Sequence, residues 1–290
     1  MITVFTPTYN RAKTLPHLFK SLLEQTDKRF EWLVIDDGSE DNTGELVNDF
    51  LGKADFVIRY IKQENKGLSQ TLNRGVDLAE GDIFFRVDSD DFITPDAIEL
   101  IYSNWHLVEA DDKLCGLVFI KESLNPDQRV YCPFTDNIRT NFFDYYNLYG
   151  GKGDMAEVIR TDIFRLYKLP KFGDEKFCPE GVVWNRMASH YDVIYIPKPI
   201  YKFEYIKDGF TLNVHQNLRR NAIGASTFYA ENFDHDLKLF FYLKNAILFW
   251  RYALSNRRGW KSNFHSIPLP ATIVGLPIGG LLNIYDRFRL

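Results

Sequence analysis

Apolar positions in the first hundred residues switch between two periods, and the switching predicts a strand–helix repeat. Ile2 to Phe5 reads as a strand. Leu15, Leu18, Phe19 and Leu22 then recur at helical spacing, behind Thr14 as a cap and Pro16 in the first turn. Trp32 to Ile35 and Phe56 to Ile61 are the next strands, each followed by a helical pattern: Leu46, Val47, Phe50 and Leu51, then Leu68, Leu72, Val76 and Ala79. Ile83 to Val87 is a fourth strand, and Thr94-Pro95-Asp96 opens a helix whose apolar face is Ile98, Ile101, Tyr102 and Trp105. This order implies an α/β fold with a mixed, mainly parallel sheet flanked by helices.

The pattern changes after about residue 115. CGLVFI (115–120) and RVYC (129–132) read as strands, EVIRTDIFRLY as a strand passing into a helix, and NFFDYYNLY (142–149) is ambiguous. PEGVVWNRMASHY opens a helix at Pro179-Glu180, and VIYIPKPIYKFEY (193–205) is a strand pair or a bent strand interrupted by prolines. Beyond 212 two long helices are expected, near 215–232 and 236–255. The last apolar stretch, Ile267 to Leu282, is short of the roughly 20 residues a spanning helix needs, and Pro268, Pro270 and Pro277 are expected to break it. With cations before and after it, two readings stand: peripheral, interfacial attachment to a membrane, or a tail packed on its own domain or a second subunit.

Composition narrows the class. The chain has 290 residues, 45% hydrophobic, enough for one large domain plus an appendage. A net charge of −4 argues against nucleic-acid binding. Cys115, Cys132 and Cys178 make neither a metal pattern nor a disulfide framework, which suits a reducing compartment. No signal-peptide pattern fits the first residues, so the expected location is the cytoplasm, with the tail directed to the inner face of a membrane if the interfacial reading holds.

In a parallel sheet, ligands bind beyond the carboxyl ends of the strands. The polar clusters fall there: TPTYNR after the first strand, DDGSEDNT after the second, DSDD after the fourth. In the last, Asp88, Asp90 and Asp91 crowd three like charges into four positions, although two carboxylates a few ångströms apart repel by about 1 kcal/mol even in water. Asp88-Ser89-Asp90 suits a hard divalent cation, Mg²⁺ or Mn²⁺, that also binds substrate phosphates; the alternative is a set of solvated turn acids. A carboxylate of Asp36-Asp37 could accept a base imide or a ribose hydroxyl, or merely shape a strand-to-helix turn. Thr6, Pro7 and Tyr9 form a loop where the tyrosine ring could stack on a base, or pack as an ordinary loop.

TPTYNR, VIDDGSEDNT, NKGLSQTLNRG and RVDSDD, in that order and spacing, resemble the nucleotide-sugar half of inverting family-two glycosyltransferases of the GT-A (Rossmann-like) fold. The resemblance is specific over 1–105 and looser through an acceptor half, 106–212. It implies a catalytic domain over 1–212 and a helical appendage over 213–290. It also implies transfer of a sugar, most naturally from a UDP-sugar, to a hydroxyl of a glycan or a lipid-linked saccharide. Carried onto matching positions, Thr6 and Tyr9 contact the base, Asp37 its imide and Asp88 the ribose, while Asp90 ligates the Mn²⁺ or Mg²⁺ that bridges the phosphates. Arg11, Lys66 and Asn73 join the nucleotide pocket. Asp208 and Thr211, in YIKDGFT, contact phosphate or acceptor, and His215 is a further metal ligand, unless it is a structural histidine.

The general base falls on Glu180, at a helix start that favours a carboxylate. Family members commonly carry Glu-Asp there; this chain has Glu180-Gly181, and Asp174 and Glu175 are the reserve candidates. Two rivals remain: a catalytically silent nucleotide-sugar-binding module, which Gly181 keeps open, and a sugar nucleotidyltransferase, which the glycine-free TPTYNRAKT disfavours. No G-x-G-x-x-G follows any strand, which sets a dehydrogenase aside.

Overall fold

The computed structural model describes residues 1–125, 128, 130–204, 213–256 and 258–289. The chain divides into two compact units: 1–168 with 190–204, and 169–189 with 205–290. The segment 169–189, expected within the 106–212 half, therefore packs with the helices that follow residue 213.

The first unit runs β1 (Ile2–Thr8), α1 (Leu15–Leu23), β2 (Phe30–Asp36), α2 (Thr43–Leu51), β3 (Val57–Lys62), α3 (Leu68–Leu78), β4 (Ile83–Arg86), β5 (Phe92–Ile93) and α4 (Ala97–Glu109). It continues through β6 (Leu114–Ser123), β7 (Ile138–Thr140), α5 (Phe142–Asn147), β8 (Met155–Arg160) and α6 (Thr161–Leu166); α7 (Gly181–Ala188) belongs to the second unit, and β9 (Asp192–Phe203) returns to the first. The strands form one sheet in the order β3-β2-β1-β4-β8-β6-β9-β5, with β7 also on β9. The pairs β1/β2, β2/β3 and β1/β4 are parallel, with Thr8 level with Asp36 and Phe5 with Arg86. The carboxyl ends of four strands thus reach one edge, as the apolar runs predicted. β8 enters antiparallel to β4 and makes the sheet mixed.

The structure settles two local readings left open by the sequence and changes a third. VIYIPKPIYKF is the bent single strand of the two alternatives: its register on β6 jumps from Phe119 opposite Ile196 to Ile120 opposite Pro199. Pro197 and Lys198 are thereby looped out where a ladder would need the N–H that proline lacks. Of RVYC, Tyr131 makes only an isolated bridge to Lys152. NFFDYYNLY contains α5, because Asn141 caps it by accepting Asp144 N–H at 2.8 Å.

The second unit continues with α8 (Val214–Arg220), α9 (Ala222–Glu231), α10 (Leu239–Ala253), α11 (Trp260–Phe264) and α12 (Leu269–Arg289). The first of the two expected long helices is divided at Asn221, whose φ and ψ of −116° and 53° leave the helical region. The tail prolines do not break α12, which runs 21 residues with Pro277 inside. Pro270 sits in the first turn, where a missing N–H is harmless. An interior proline costs about 3 kcal/mol; here it lies between Gly275 and Gly279, where the backbone of α12 approaches that of α10 closely. Among the described residues no helix is long and apolar enough to cross a membrane.

Candidate nucleotide site

The loop after β1 is tied to the loop after β2. Asn10 adopts a left-handed φ of 54°, which turns the chain so that its side-chain oxygen accepts Glu40 N–H at 2.9 Å while its own N–H donates to Ser39 Oγ at 2.8 Å. Arg11 N–H donates to Thr43 Oγ1 and Ala12 N–H to Asp41. Tyr9, just before this knot, is 46% exposed, so its ring is accessible at the rim.

Thr6 and Asp36 lie beneath that rim. Thr6 is fully buried and its hydroxyl accepts Trp32 Nε1–H at 2.9 Å. Asp36 accepts Ser39 N–H at 2.7 Å and the Tyr60 hydroxyl at 2.6 Å. Their polar atoms thus hold the fold of the loops. Pro7 is buried between them, and Thr8, at the end of β1, has a buried hydroxyl with no protein partner among the described residues.

Asp37 organises the third loop. Its carboxylate accepts Gln63 Nε2 at 2.7 Å and the backbone N–H groups of Lys66 and Gly67 at 2.8 Å each. Lys66 is exposed beside it, and Asn73 is half-buried on α3. Arg74 continues the chain of contacts by donating to Gln63 Oε1.

The acidic cluster is resolved into three different environments. Asp88 receives Arg86 at 2.6 Å, and Lys121 Nζ lies 4.0 Å away. Burial alone would raise the Asp88 carboxyl; Arg86, Lys121 and Arg11 outweigh it and hold it below the usual range. Asp91 accepts the Tyr201 hydroxyl at 2.7 Å, while that hydroxyl accepts Asp88 N–H at 3.0 Å; burial, then Asp88, push the Asp91 carboxyl up to about 7. Asp90 meets Arg11 Nη2 at 3.7 Å, and burial followed by the charge of Asp88 raises its carboxyl. Ser89 is buried between them.

The donor set fits a divalent cation that arrives with its substrate. Among the described residues no three His, Cys, Asp or Glu side chains converge into a cage. Mg²⁺ is ordinarily bound by one or two carboxylates plus substrate phosphates and water, and an acid whose charged form is disfavoured by a neighbouring carboxylate is relieved by an added cation. Asp90, with Asp88 beside it, meets that description.

Arg86, Lys121 and Tyr201 were not among the expected site residues. Arg86 was legible as the one charge in an otherwise apolar strand. Lys121 and Tyr201 come from β6 and β9, and only the sheet brings them to Asp88; Lys121 Nζ also sits 4.2 Å over the Tyr201 ring.

The second unit holds Glu180 and His215. Glu180 precedes α7, where its carbonyl accepts Val183 N–H at 2.8 Å. His215 Nδ1 is 2.9 Å from the Tyr252 hydroxyl, and burial, then Arg251, lower its basicity. Glu175 accepts Ile223 and Gly224 N–H at 2.8 Å each, which makes it the cap of α9. Asp208 and Thr211 lie outside the described residues.

A sheet with three polar loops at its carboxyl edge is the α/β arrangement in which ligands bind beyond the strand ends. The family model for glycosyl transferase family 2 matches residues 3–168, more than half of the chain, and the chain belongs to that family. Glycosyltransferase GlyG of Streptococcus pneumoniae is 38% identical over 112 residues, covering 38% of this chain and 37% of GlyG. Chondroitin synthase of Escherichia coli is 36% identical over 100 residues, 34% of this chain and 14% of the synthase. The matches thus span well under half of these relatives. Among solved structures, S. aureus TarS 1-349 in complex with UDP-GlcNAc aligns with a TM-score of 0.68 at 15% identity, over 98% of this chain and 88% of that one. A mannosyltransferase from Pyrobaculum calidifontis in complex with GDP-Man and Mn2+ gives 0.60 at 17% identity, over 99% and 87%. At such identities the likeness is one of fold, and it bears out the GT-A expectation.

Proposed function

We propose that this protein is a metal-dependent inverting glycosyltransferase that moves a sugar from a nucleoside diphosphate, most naturally UDP, to a hydroxyl of a glycan or lipid-linked saccharide. The observation that carries the reading is the convergence of the Tyr9–Arg11, Asp37–Lys66 and Asp88–Asp91 loops on one sheet edge, in a family whose structural neighbours bind UDP-GlcNAc or GDP-Man.

Tyr9 offers a ring to the base, and Asp37 shapes the pocket floor through Lys66 and Gly67. Asp90 and Asp88 would hold Mn²⁺ or Mg²⁺, which would supply positive charge to offset what develops on the leaving diphosphate. Arg86 and Lys121 keep Asp88 ionised and aimed. Glu180 takes the proton of the acceptor hydroxyl as that oxygen bonds to the anomeric carbon from the face opposite the departing diphosphate. The catalytic domain covers 1–212, and the helices from 213 give the protein a peripheral seat on the cytoplasmic face of a membrane, where a lipid-linked acceptor would lie.

Calorimetry with UDP tests the reading. Binding in Mn²⁺ is expected to weaken roughly tenfold or more on chelation and in Asp90→Ala. Equal affinity in all three conditions removes the metal from the scheme. A wild-type protein that neither binds nor slowly hydrolyses any nucleotide sugar overturns the whole proposal.

A further inference from the structure

Helix α12 is built inside out. The face it turns inward carries Thr272, Gly275, Gly279, Asn283 and Asp286, small or polar and all buried, with Ala271 and Leu276 supplying its apolar contacts to the α10 core. The face it turns outward carries Ile273, Val274, Ile278, Leu281, Ile284 and Phe288, all exposed, with Leu281 at 69% and Phe288 at 89%. A surface helix in water shows the reverse arrangement.

Its packing against α10 follows the same logic. Gly275 and Gly279 let the backbones meet: a Cβ at either position would lie 2.4 Å from Ala246 O or 2.5 Å from Ile247 O. Arg251 grips Asp286 through two hydrogen bonds of 2.8 Å, and Asn283 donates to Arg251 O at 2.7 Å and to Ser255 Oγ at 2.6 Å. Small residues at the contact, polar partners between helices and large apolar side chains outside are how helices pair when the surrounding solvent is apolar. At 21 residues α12 is about 31 Å long, and its exposed apolar side chains recur along it from Ile273 to Phe288 rather than standing singly.

Charge identifies what covers it. Residues 213–290 hold ten Lys and Arg against four Asp and Glu, whereas residues 1–212 hold twenty-five against thirty-five. Lys238, Lys244, Arg258, Lys261 and Arg287 are exposed around the helices. Leu239 and Phe240, at 73% and 69% exposed, add apolar surface at the head of α10. A symmetric second copy would bring this basic region against itself. Anionic lipid headgroups complement it.

We propose that the outward face of α12 lies in the headgroup–acyl boundary of an anionic bilayer, parallel to its plane, with the exposed cations at the phosphates. The inference deepens the peripheral membrane contact proposed above and rests on that part of the reading, but uses no feature of the donor site. No crossing is involved, since no described helix is long and apolar enough.

Flotation of the full chain with phosphatidylglycerol–phosphatidylcholine vesicles, against phosphatidylcholine alone, tests it. The wild type is expected to float with the anionic vesicles and much less with the neutral ones. The triple variant Ile273→Ser, Leu281→Ser, Phe288→Ser should lose roughly tenfold or more in partitioning at unchanged Tm. Phe288→Ser alone, at the most exposed position, should show the same direction if the triple variant unfolds. Lys261→Glu with Arg287→Glu should abolish the preference for anionic lipid. A wild type that fails to float, or floats equally as the serine variant, overturns the inference; so does a wild-type dimer in sedimentation velocity that the serine variant dissolves without any vesicle binding. UDP affinity measured on the same samples separates the two proposals: a wild type that binds UDP but does not float sinks this inference together with the peripheral seat it rests on, and one that floats without binding UDP sinks only the donor reading.

Discussion

Phe228 occupies the space that any side chain at residue 181 would need: a Cβ built on Gly181 would stand 2.3 Å from Phe228 Cε2. The glycine that replaces the second acid of the Glu-Asp pair is therefore matched by an aromatic ring. Gly181→Ala is expected to destabilise the protein by about 1–3 kcal/mol through overpacking. In a Phe228→Leu background most of that penalty should vanish, and denaturant melts of the four-member cycle measure the coupling. Additive penalties would show that the ring moves aside freely, and an acid at 181 would then be sterically open to this chain.

Asp37 and Tyr9 should part company when mutated. Asp37 is 5% exposed and its carboxylate accepts three hydrogen bonds from the 63–67 loop, so Asp37→Ala leaves those donors unmatched and should lower stability by about 1–3 kcal/mol as well as nucleotide affinity. Tyr9 is nearly half exposed. Tyr9→Ala should leave Tm within a degree or so while weakening UDP binding by about 1–3 kcal/mol, the usual contribution of an aromatic ring stacked on a base. Calorimetry and thermal melts on both variants check the contrast; unchanged UDP affinity in Tyr9→Ala would remove the ring from the base pocket.

How much was legible beforehand depended on range. The strands β1 to β4 were readable because each is a short apolar run ended by turn-forming polar residues, a purely local signal. The clusters at 36–39 and 88–91 stood out for the same reason. Lys121 and Tyr201 did not, because they meet Asp88 only through the pairing of β6 with β9, and nothing near Asp88 in the chain records it. The tail failed in the opposite direction. Pro277 is a local breaker, yet α12 runs through it, at the place where Gly275 and Gly279 meet α10, some thirty residues earlier.

The Tyr201 hydroxyl is the joint between two acids, accepting from Asp88 N–H and donating to Asp91. Tyr201→Phe keeps the ring, and with it the cation contact of Lys121, but strands a buried N–H and a buried carboxyl. The expected loss is about 1–3 kcal/mol of stability, with weaker metal-dependent UDP binding as the 88–91 turn loosens. Asp91→Asn should be milder, since the amide oxygen still accepts from Tyr201. Equal melts for Tyr201→Phe and the wild type would mean that the hydroxyl holds nothing in place.

Glu175 provides the pH test. Burial raises its carboxyl, and the N–H groups of Ile223 and Gly224, with Arg258, pull the other way without reversing the shift. A folded pKa above the unfolded value of 4.5 means that the folded state binds the proton more tightly. The stability this contributes is complete below the unfolded pKa and is lost as pH rises through the folded one. Glu175→Gln carries no titrating group, so the Tm of the wild type relative to this variant should be highest near pH 4.5 and decline toward neutrality. Scanning calorimetry of both proteins across that window reads the trend directly. A difference that grows with pH would mean that the α9 N–H groups prefer the charged carboxylate strongly enough to overcome its burial, and that the cap is an ionic one.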